Sequence, residues 1–432
     1  MQPDDLRRDP EAPRTPCVRH LSPALESAGA RSVVSEGARN RAHAGKLEEA
    51  LTRTRALARP ITLGAGLVFL AAACTQGGGA TSAPSSAANA WTPDATLLAA
   101  AKAEGGLTTI ALPPTWCNYK DLIAGYTAKT GIAINGLNPT GSSQQEVDAI
   151  KANKDNKGPQ APHVIDVGLS FGPDAKSQGL IQAYKVAGWE SIAASAKDAD
   201  GFWYGDYYGV MSFEVTTDVQ KTVPQDWSDL TKPIYKGQLA LSGNPTKSNQ
   251  GISAVWAAAF AGGNTGAADN PQPGLDLFKQ IVDAGNLVAV IAKTPTVVSG
   301  DTPVRLTWSY NALSDKEAQA GKTNIEVVIP KTGRFGGMYV QAISAYAPHP
   351  NAAKLWMEWL YSDEGQNLWL KGYCNPIRYD DMAKRNVVPA DLKAKLPDTS
   401  GAFLPTLDQI TAATKKVTEG WPTTVKLVLP EQ

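Results

Sequence analysis

The chain is expected to be an α/β protein of two lobes, with mostly parallel sheets and a hinge between the lobes. Three observations predict this. From residue 105 to about residue 180, strand-like apolar runs alternate with amphipathic helical runs, the order that builds a parallel sheet. A second segment of the same kind runs from residue 232 to about residue 330. Between them stands Trp203-Tyr-Gly-Asp-Tyr-Tyr-Gly-Val-Met-Ser-Phe-Glu-Val-Thr-Thr-Asp218, aromatic at its start and then rich in β-branched residues, which reads as one long strand. A strand that leaves one lobe and enters another is a hinge, and ligands favour the crevice between lobes. The expected parts are residues 1–73 as leader, 74–91 as tether, 92–208 as the first part of lobe 1, 209–337 as lobe 2, and 338–432 as a return crossing with C-terminal helices, mainly on lobe 1.

Residues 1–45 are rich in Arg, Pro, Ser, Ala and Gly without periodicity, too polar to offset their ordering entropy. A cationic stretch, 51–60, precedes the uncharged apolar run 61–73. That run is shorter than the roughly 20 residues of a membrane-spanning helix and suits a signal-peptide core. It ends Leu70-Ala-Ala-Ala-Cys74, with Gly, Ser, Ala and Thr following to residue 90, a flexible tether. About 50 residues before a secretory leader is unusual, so residues 1–45 are expected to be missing from the product.

Lys and Arg number 41 and Asp and Glu 41, of which residues 1–73 hold 11 and 8. The chain beyond residue 73 is therefore mildly acidic, which argues against nucleic acid and anionic membrane as partners. The roughly 340 residues after the tether suffice for two lobes with cores. Of four Cys, only Cys117 and Cys374 lie beyond Cys74, and two Cys in an exported chain are expected to pair. Only His163 and His349 come after residue 91, which leaves little for His-based catalysis or His-ligated metal; no metal site and no cofactor is expected.

In order, a helix is expected at 93–103, a strand at 105–112 after a glycine turn, a loop holding Trp116, a helix at 119–129 and a strand at 131–135. The next helix opens at Ser142 or Ser143, either a good N-cap with Glu146 in the first turn, and runs to 153. A strand at 163–168 leads through Ser170 and Phe171 to a helix from Asp174. The loops after these strands, near Trp116, Ser142 and Ser170, gather at one sheet edge, where α/β proteins bind ligands. Gly168-Leu-Ser-Phe-Gly172 also matches the G-x-S-x-G nucleophile elbow. A secreted serine hydrolase would pair Ser170 with His349, the only later His. A surface adhesion module would instead show a large exposed apolar patch.

In the second segment a strand ending at Leu241 enters Ser242-Gly-Asn-Pro-Thr-Lys-Ser-Asn-Gln-Gly251 and then a helix at 252–260. That helix start, with Ser248, Asn249 and Gln250, suits an anionic group. Further elements are a helix at 274–284, strands at 304–308, 325–330 and 336–345, and helices at 351–361, 364–370, 389–396 and 406–419. Ser309, Tyr310 and Asn311 read as the loop after the 304–308 strand.

Trp227-Ser-Asp-Leu-Thr-Lys-Pro-Ile-Tyr-Lys-Gly237, Asn244-Pro-Thr-Lys-Ser-Asn-Gln250 before a helix, and Ala352-Ala-Lys-Leu-Trp-Met-Glu-Trp-Leu-Tyr-Ser-Asp-Glu-Gly-Gln366 together resemble the extracellular solute-binding proteins of bacterial ABC importers, type II periplasmic-binding-protein fold, iron/polyamine/phosphonate-type branch. The leader resembles a lipoprotein signal, with Cys74 as the lipidated residue. The resemblance spans residues 92–432. It implies two lobes closing over one small-molecule solute, delivery to a permease with its ATPase, an anchor in the membrane through the lipid, a monomer, and no chemistry on the solute. By position it implies solute contacts at Trp116, Ser142, Ser143, Ser170, Phe171, Tyr204, Asp206, Tyr207, Ser248, Asn249, Gln250, Trp308, Tyr310 and Asn311. Ferric-binding relatives use two adjacent Tyr where this chain has only Tyr310.

The expected cleft is aromatic, with Trp203 added to the residues above, and about half of these rings are expected to be core. Aromatic faces beside a carboxylate, here Asp206 or Asp301, favour a desolvated cation, hence a polyamine or other organic amine. Lys247, Arg305 and the helix start near Gln250 favour an anion, and an aminophosphonate or other zwitterion would use both poles.

Overall fold

The computed structural model describes residues 90–431. The leader, Cys74 and nearly all of the tether lie outside the described residues. Helix α1 (Ala95–Glu104) begins where Asp94 accepts the Leu97 amide at 2.8 Å, an N-cap that satisfies a free donor of the first turn. Strand β1 (Leu107–Ile110), helix α2 (Tyr119–Thr130), strand β2 (Ile134–Leu137), helix α3 (Ser143–Ala152) and strand β3 (Val164–Gly168) come next, in the expected alternation. Strands β1 and β2 pair in parallel. β1 meets the start of β3 through His163, whose backbone amide donates to Thr108 while its ring Nδ1 accepts the Thr108 amide at 3.0 Å. Ser142 is the N-cap of α3, in a capping box with Gln145.

Helix α4 (Phe171–Ser177) and the short strand β4 (Ile181–Gln182) lead to β5 (Tyr204–Thr216), the long strand. Its residues up to Val210 pair with the later strand β10, and from Met211 on they pair with β8 and β9. One strand therefore belongs to the sheets of both lobes. The second lobe continues with β6 (Leu239–Leu241), α5 (Asn249–Ala259), α6 (Gln272–Asp283), β7 (Leu287–Ile291), α7 (Thr294–Ser299), β8 (Val304–Trp308), α8 (Ser309–Ala318) and β9 (Ile325–Val328). β6 lies parallel between β7 and β8. Then β10 (Gly336–Ser344) returns, antiparallel to both β5 and β3. Parallel pairs lie inside the lobes, and every pair that involves β5 or β10 is antiparallel, so the sheets are mixed.

Gly209 and Gly337 sit opposite each other on the two crossing strands. A Cβ at Gly209 would stand 2.5 Å from the Tyr310 ring, and one at Gly337 2.1 Å from Trp308. Only glycine lets these rings approach the crossing strands so closely.

Helices α9 (Pro350–Leu360) and α10 (Asp363–Lys371) pack on α1, α2 and the turn at Trp116. Strand β11 (Asn375–Pro376) adds to β5, and α11 (Tyr379–Lys384) and α12 (Ala390–Lys393) come after it. The last helix, α13 (Leu407–Gly420), and the turn after it pack on α5 and α6 of the second lobe. Ala413, Val417 and Trp421 are buried there, with Trp421 against Phe278. The C-terminal residues thus divide between lobes, because α13 presents its apolar stripe to α5 and α6. Among the described residues, no helix is long and apolar enough to cross a membrane.

Candidate functional site

A cavity of about 380 Å³ opens between the lobes. Its first wall comes from the loop after β1, the start of α3, and β3, with Trp116, Ser142, Ser143, Glu146 and Asp166. Its second wall comes from the start of α5, the start of α7, β8 and α8, with Ser248, Gln250, Lys293, Arg305, Thr307, Asn311 and Asp315. Tyr339 of the returning strand also faces it.

The first wall is acidic. Asp166 is 5 % exposed and Glu146 2 %. Glu146 Oε2 accepts the Asp166 amide at 2.9 Å, and Asp166 Oδ2 accepts the hydroxyls of Tyr119 at 2.7 Å and Tyr207 at 2.8 Å. Asp166 Oδ1 has no hydrogen-bond partner. Behind this pair, Asp206 accepts from its neighbour's amide and from Gln341, which also donates to Tyr119. Among the described residues no Lys, Arg or His pairs with any of the three carboxyls. Burial pushes the Asp166 carboxyl up to about 7, with the two tyrosine hydroxyls partly opposing it. Burial, and then the charge of Asp166, raise Glu146 and Asp206 well above the carboxylate range.

The second wall is balanced differently. Glu214 on β5 stands opposite Arg305 on β8 in register. Arg305 Nε donates to Glu214 at 2.7 Å, and Nη2 pairs with both Glu214 and Asp315. Burial raises Glu214 to about 7 against the pull of Arg305. One guanidinium is therefore shared by two buried acids, the arrangement that offsets its desolvation. Thr307 accepts from Gln250 at 2.8 Å. Lys293 faces the cavity half-buried, its ammonium disfavoured by desolvation. Ser248 is the N-cap of α5 but makes no side-chain cap bond.

Of the expected contacts, Trp116, Ser142, Ser143, Ser248, Gln250 and Asn311 lie on this cavity. The others do not. Phe171 and Trp203 pack in a separate apolar cluster with Val340. Tyr204 is buried between Trp189 and Tyr361, and Trp308, Tyr310 and Tyr207 are fully buried core. Asn249 is turned toward Gly168, where it would meet any Cβ. Asp206 is 0 % exposed behind Tyr207, and Asp301 is exposed and bonded to Ser299. Lys247 pairs at the surface with Glu431. Ser309 to Asn311 form the first turn of α8 and not a loop, because helix formers continue to Ala318. Trp116 alone of the expected aromatics lines the cavity. Its ring meets Tyr310 and Tyr339 edge-on at 5.3 and 5.4 Å, and its indole donates to Tyr207.

Cys117, next to Trp116, is disulfide-bonded to Cys374, with Cα atoms 5.5 Å apart. Ser170 Oγ has no hydrogen-bond partner. His349 Nδ1 instead bonds the Gly106 carbonyl, and its ring packs on His163. The Ser170–His349 dyad of a hydrolase is not formed.

Residues 162–404 match the family model described as "Bacterial extracellular solute-binding protein". The chain belongs to that family. As a solute-binding protein it is extracytoplasmic and binds a small solute for an ABC permease. A relative from Haemophilus influenzae (strain ATCC 51907 / DSM 11121 / KW20 / Rd), described as an uncharacterized protein, is 27 % identical over 262 residues, 57 % of this chain and 69 % of its own. The periplasmic binding protein AfuA of Actinobacillus pleuropneumoniae, solved with exogenous fructose-6-phosphate, superposes with a TM-score of 0.57 at 21 % identity, over 75 % of this chain and 99 % of its own. Iron-bound HitA of Pseudomonas aeruginosa gives 0.53 at 17 % identity, over 73 % and 98 %. At these identities the likeness is one of fold, the two-lobed α/β fold of periplasmic binding proteins.

The acids of the first wall escape a reading of loops. Glu146 was visible only as a first-turn residue of α3. Asp166 did carry a signal, as a lone carboxylate within the apolar run His163-Val-Ile-Asp-Val-Gly168.

Proposed function

We propose that this solute-binding protein captures a cationic solute, an organic amine such as a polyamine, and delivers it to its permease as a monomer anchored through lipid on Cys74. The observation that carries this is the first wall. Glu146 and Asp166 line the cavity as buried carboxyls without a basic partner among the described residues, and Asp166 Oδ1 has no donor. An ammonium group supplies both the missing charge and the missing donor. Trp116 offers the edge of an aromatic wall beside it. Across the cavity Arg305 is already shared by Glu214 and Asp315, so Lys293 is the one further base among the lining residues opposite Glu146 and Asp166, which favours a net positive solute.

A second reading has its own observation. Lys293 and the start of α5, where Ser248 leaves the backbone amides without a side-chain cap, suit an anionic group at the solute's other end, as in an aminophosphonate. Ferric-binding relatives use two adjacent Tyr where this chain has only Tyr310, and Tyr310 is buried in the core off the cavity, which favours an amine over ferric iron.

The test is native mass spectrometry of a chain starting after Cys74, purified without refolding, with a thermal-shift panel of amines, aminophosphonates, sugar phosphates and ferric complexes. Ligand linkage raises Tm for the true class. An amine or aminophosphonate should raise it, and Asp166→Asn should abolish that rise. A shift from sugar phosphate or ferric complex alone would overturn the amine.

A further inference from the structure

Three carboxyl groups lie in one hydrogen-bonded network: Asp166 on β3, Glu146 on α3 and Asp206 on β5, joined through the Asp166 amide, Tyr119, Tyr207 and Gln341. All are buried, and their charges repel. The phenols in contact, Tyr119 and Tyr207, are held neutral by burial and by the acids themselves. Tyr310, Tyr339 and Tyr361, packed beyond them, are likewise held neutral, chiefly by burial. Tyr119 and Tyr207 both donate to Asp166 Oδ2, which leaves the buried, unpartnered Oδ1 of this cavity-lining residue as the place for a proton. Across the cavity Arg305 is shared between Glu214 and Asp315, and Lys293 is not paired to the cluster.

We propose that the empty cluster stores a proton at neutral pH and surrenders it to solvent when the solute's ammonium docks, so that solute capture is proton-linked. The step balances simply. The Asp166 carboxylic acid loses its proton to water in the open cavity, and the carboxylate left behind pairs with the entering cation. Burial that keeps the empty acid neutral, near 7 for Asp166, is outweighed once a positive charge stands beside it. Affinity therefore rises with pH until the empty cluster is itself ionised, then levels off. A second consequence is selectivity: a neutral solute of the same shape gains nothing from the exchange.

The inference rests on the amine reading for its ligand, and the experiment separates the two. Isothermal calorimetry with putrescine is run at about pH 6 in two buffers of unlike ionisation enthalpy. Release of about one proton per putrescine is expected, with Kd tightening about tenfold per pH unit from about pH 5 to 7. Buffer-independent heats and a flat Kd would overturn the proposal. If neither putrescine nor any amine of the panel binds, the amine reading fails on its own. Infrared spectroscopy of the empty protein then decides the proton store. A protonated-carboxyl band at neutral pH that weakens in Asp166→Asn, or in Glu146→Gln should the first variant not fold, supports it. Absence of that band overturns it.

Discussion

At the scale of single residues, two titrating groups work in opposite directions. Asp166 holds its proton more tightly folded than unfolded. Its contribution to stability is complete below the ordinary aspartate value and is lost as pH rises toward about 7. Asp166→Asn keeps an acceptor for Tyr119 and Tyr207 but cannot ionise. It should be more stable than the parent by on the order of 2–4 kcal/mol near pH 8 and nearly equal to it near pH 4; urea unfolding at the two pH values checks this. His163 must stay neutral, since its Nδ1 accepts the Thr108 amide, and burial lowers it to about 3. Its contribution is present above the ordinary histidine value and fades as pH falls below it. Trp116 tests the cavity wall directly. Half-buried against the rim of the main core, it should cost less stability than a fully buried ring when changed to Ala, yet weaken solute binding roughly 10- to 100-fold if it supplies about 1.4–2.8 kcal/mol of contact. Unchanged affinity would remove Trp116 from the site.

Among elements, the turn Trp116–Asn118 shows how a site residue is aimed. Cys117 and Asn118 both have left-handed φ, at 46° and 63°, a conformation that side chains disfavour. Two restraints hold it: the disulfide to Cys374, and Gly372, where a Cβ would strike the Cys117 backbone at 2.5 Å. Replacing both cysteines by Ser should cost about 2–4 kcal/mol in urea unfolding, because the bond closes 257 residues. It should also loosen solute binding in step with Trp116→Ala. Elements with clear periodicity were legible from sequence: α3 with its Ser142 cap, β5 by its β-branched run, and the amphipathic α13. β7, α7 and α8 were not. β7 is five apolar residues that could be either class, α7 is a proline-started single turn and a half, and α8 begins directly after a strand with no intervening turn residue. The site was half legible for the same reason. Loop positions such as Ser142 and Ser248 declare themselves by following strands. Asp166 and Arg305 point into the cavity from strand interiors, and Asp315 from inside a helix, where only three-dimensional pairing shows which acids are compensated.

For the whole molecule, the crossing strands and the divided C-terminal segment set how the lobes depend on each other. Among the described residues, β5 has partners in the sheets of both lobes, and β10 runs beside it from one lobe into the other. Bending there moves one wall of the cavity against the other, so a bound solute should narrow the radius of gyration in X-ray scattering, and a Gly209→Val variant, forced against Tyr310, should not reach the narrower state. Trp421 seals the second lobe against Phe278. Trp421→Ala should cost about 3–5 kcal/mol and speed hydrogen exchange in α5 and α6 while leaving α1 and α9 protected.

Because α13 closes the second lobe, synthesis imposes its own order on folding. The second lobe's core needs Val417, Trp421, Val425 and Leu429, which are made long after β6 to β9. The first lobe needs β10, α9 and α10, which come only after most of the second lobe has been made. Neither lobe can close early on a nascent chain. Each lobe's core is thus completed by segments far along the chain, and a growing polypeptide stays extended, and so threadable, until those segments have been made.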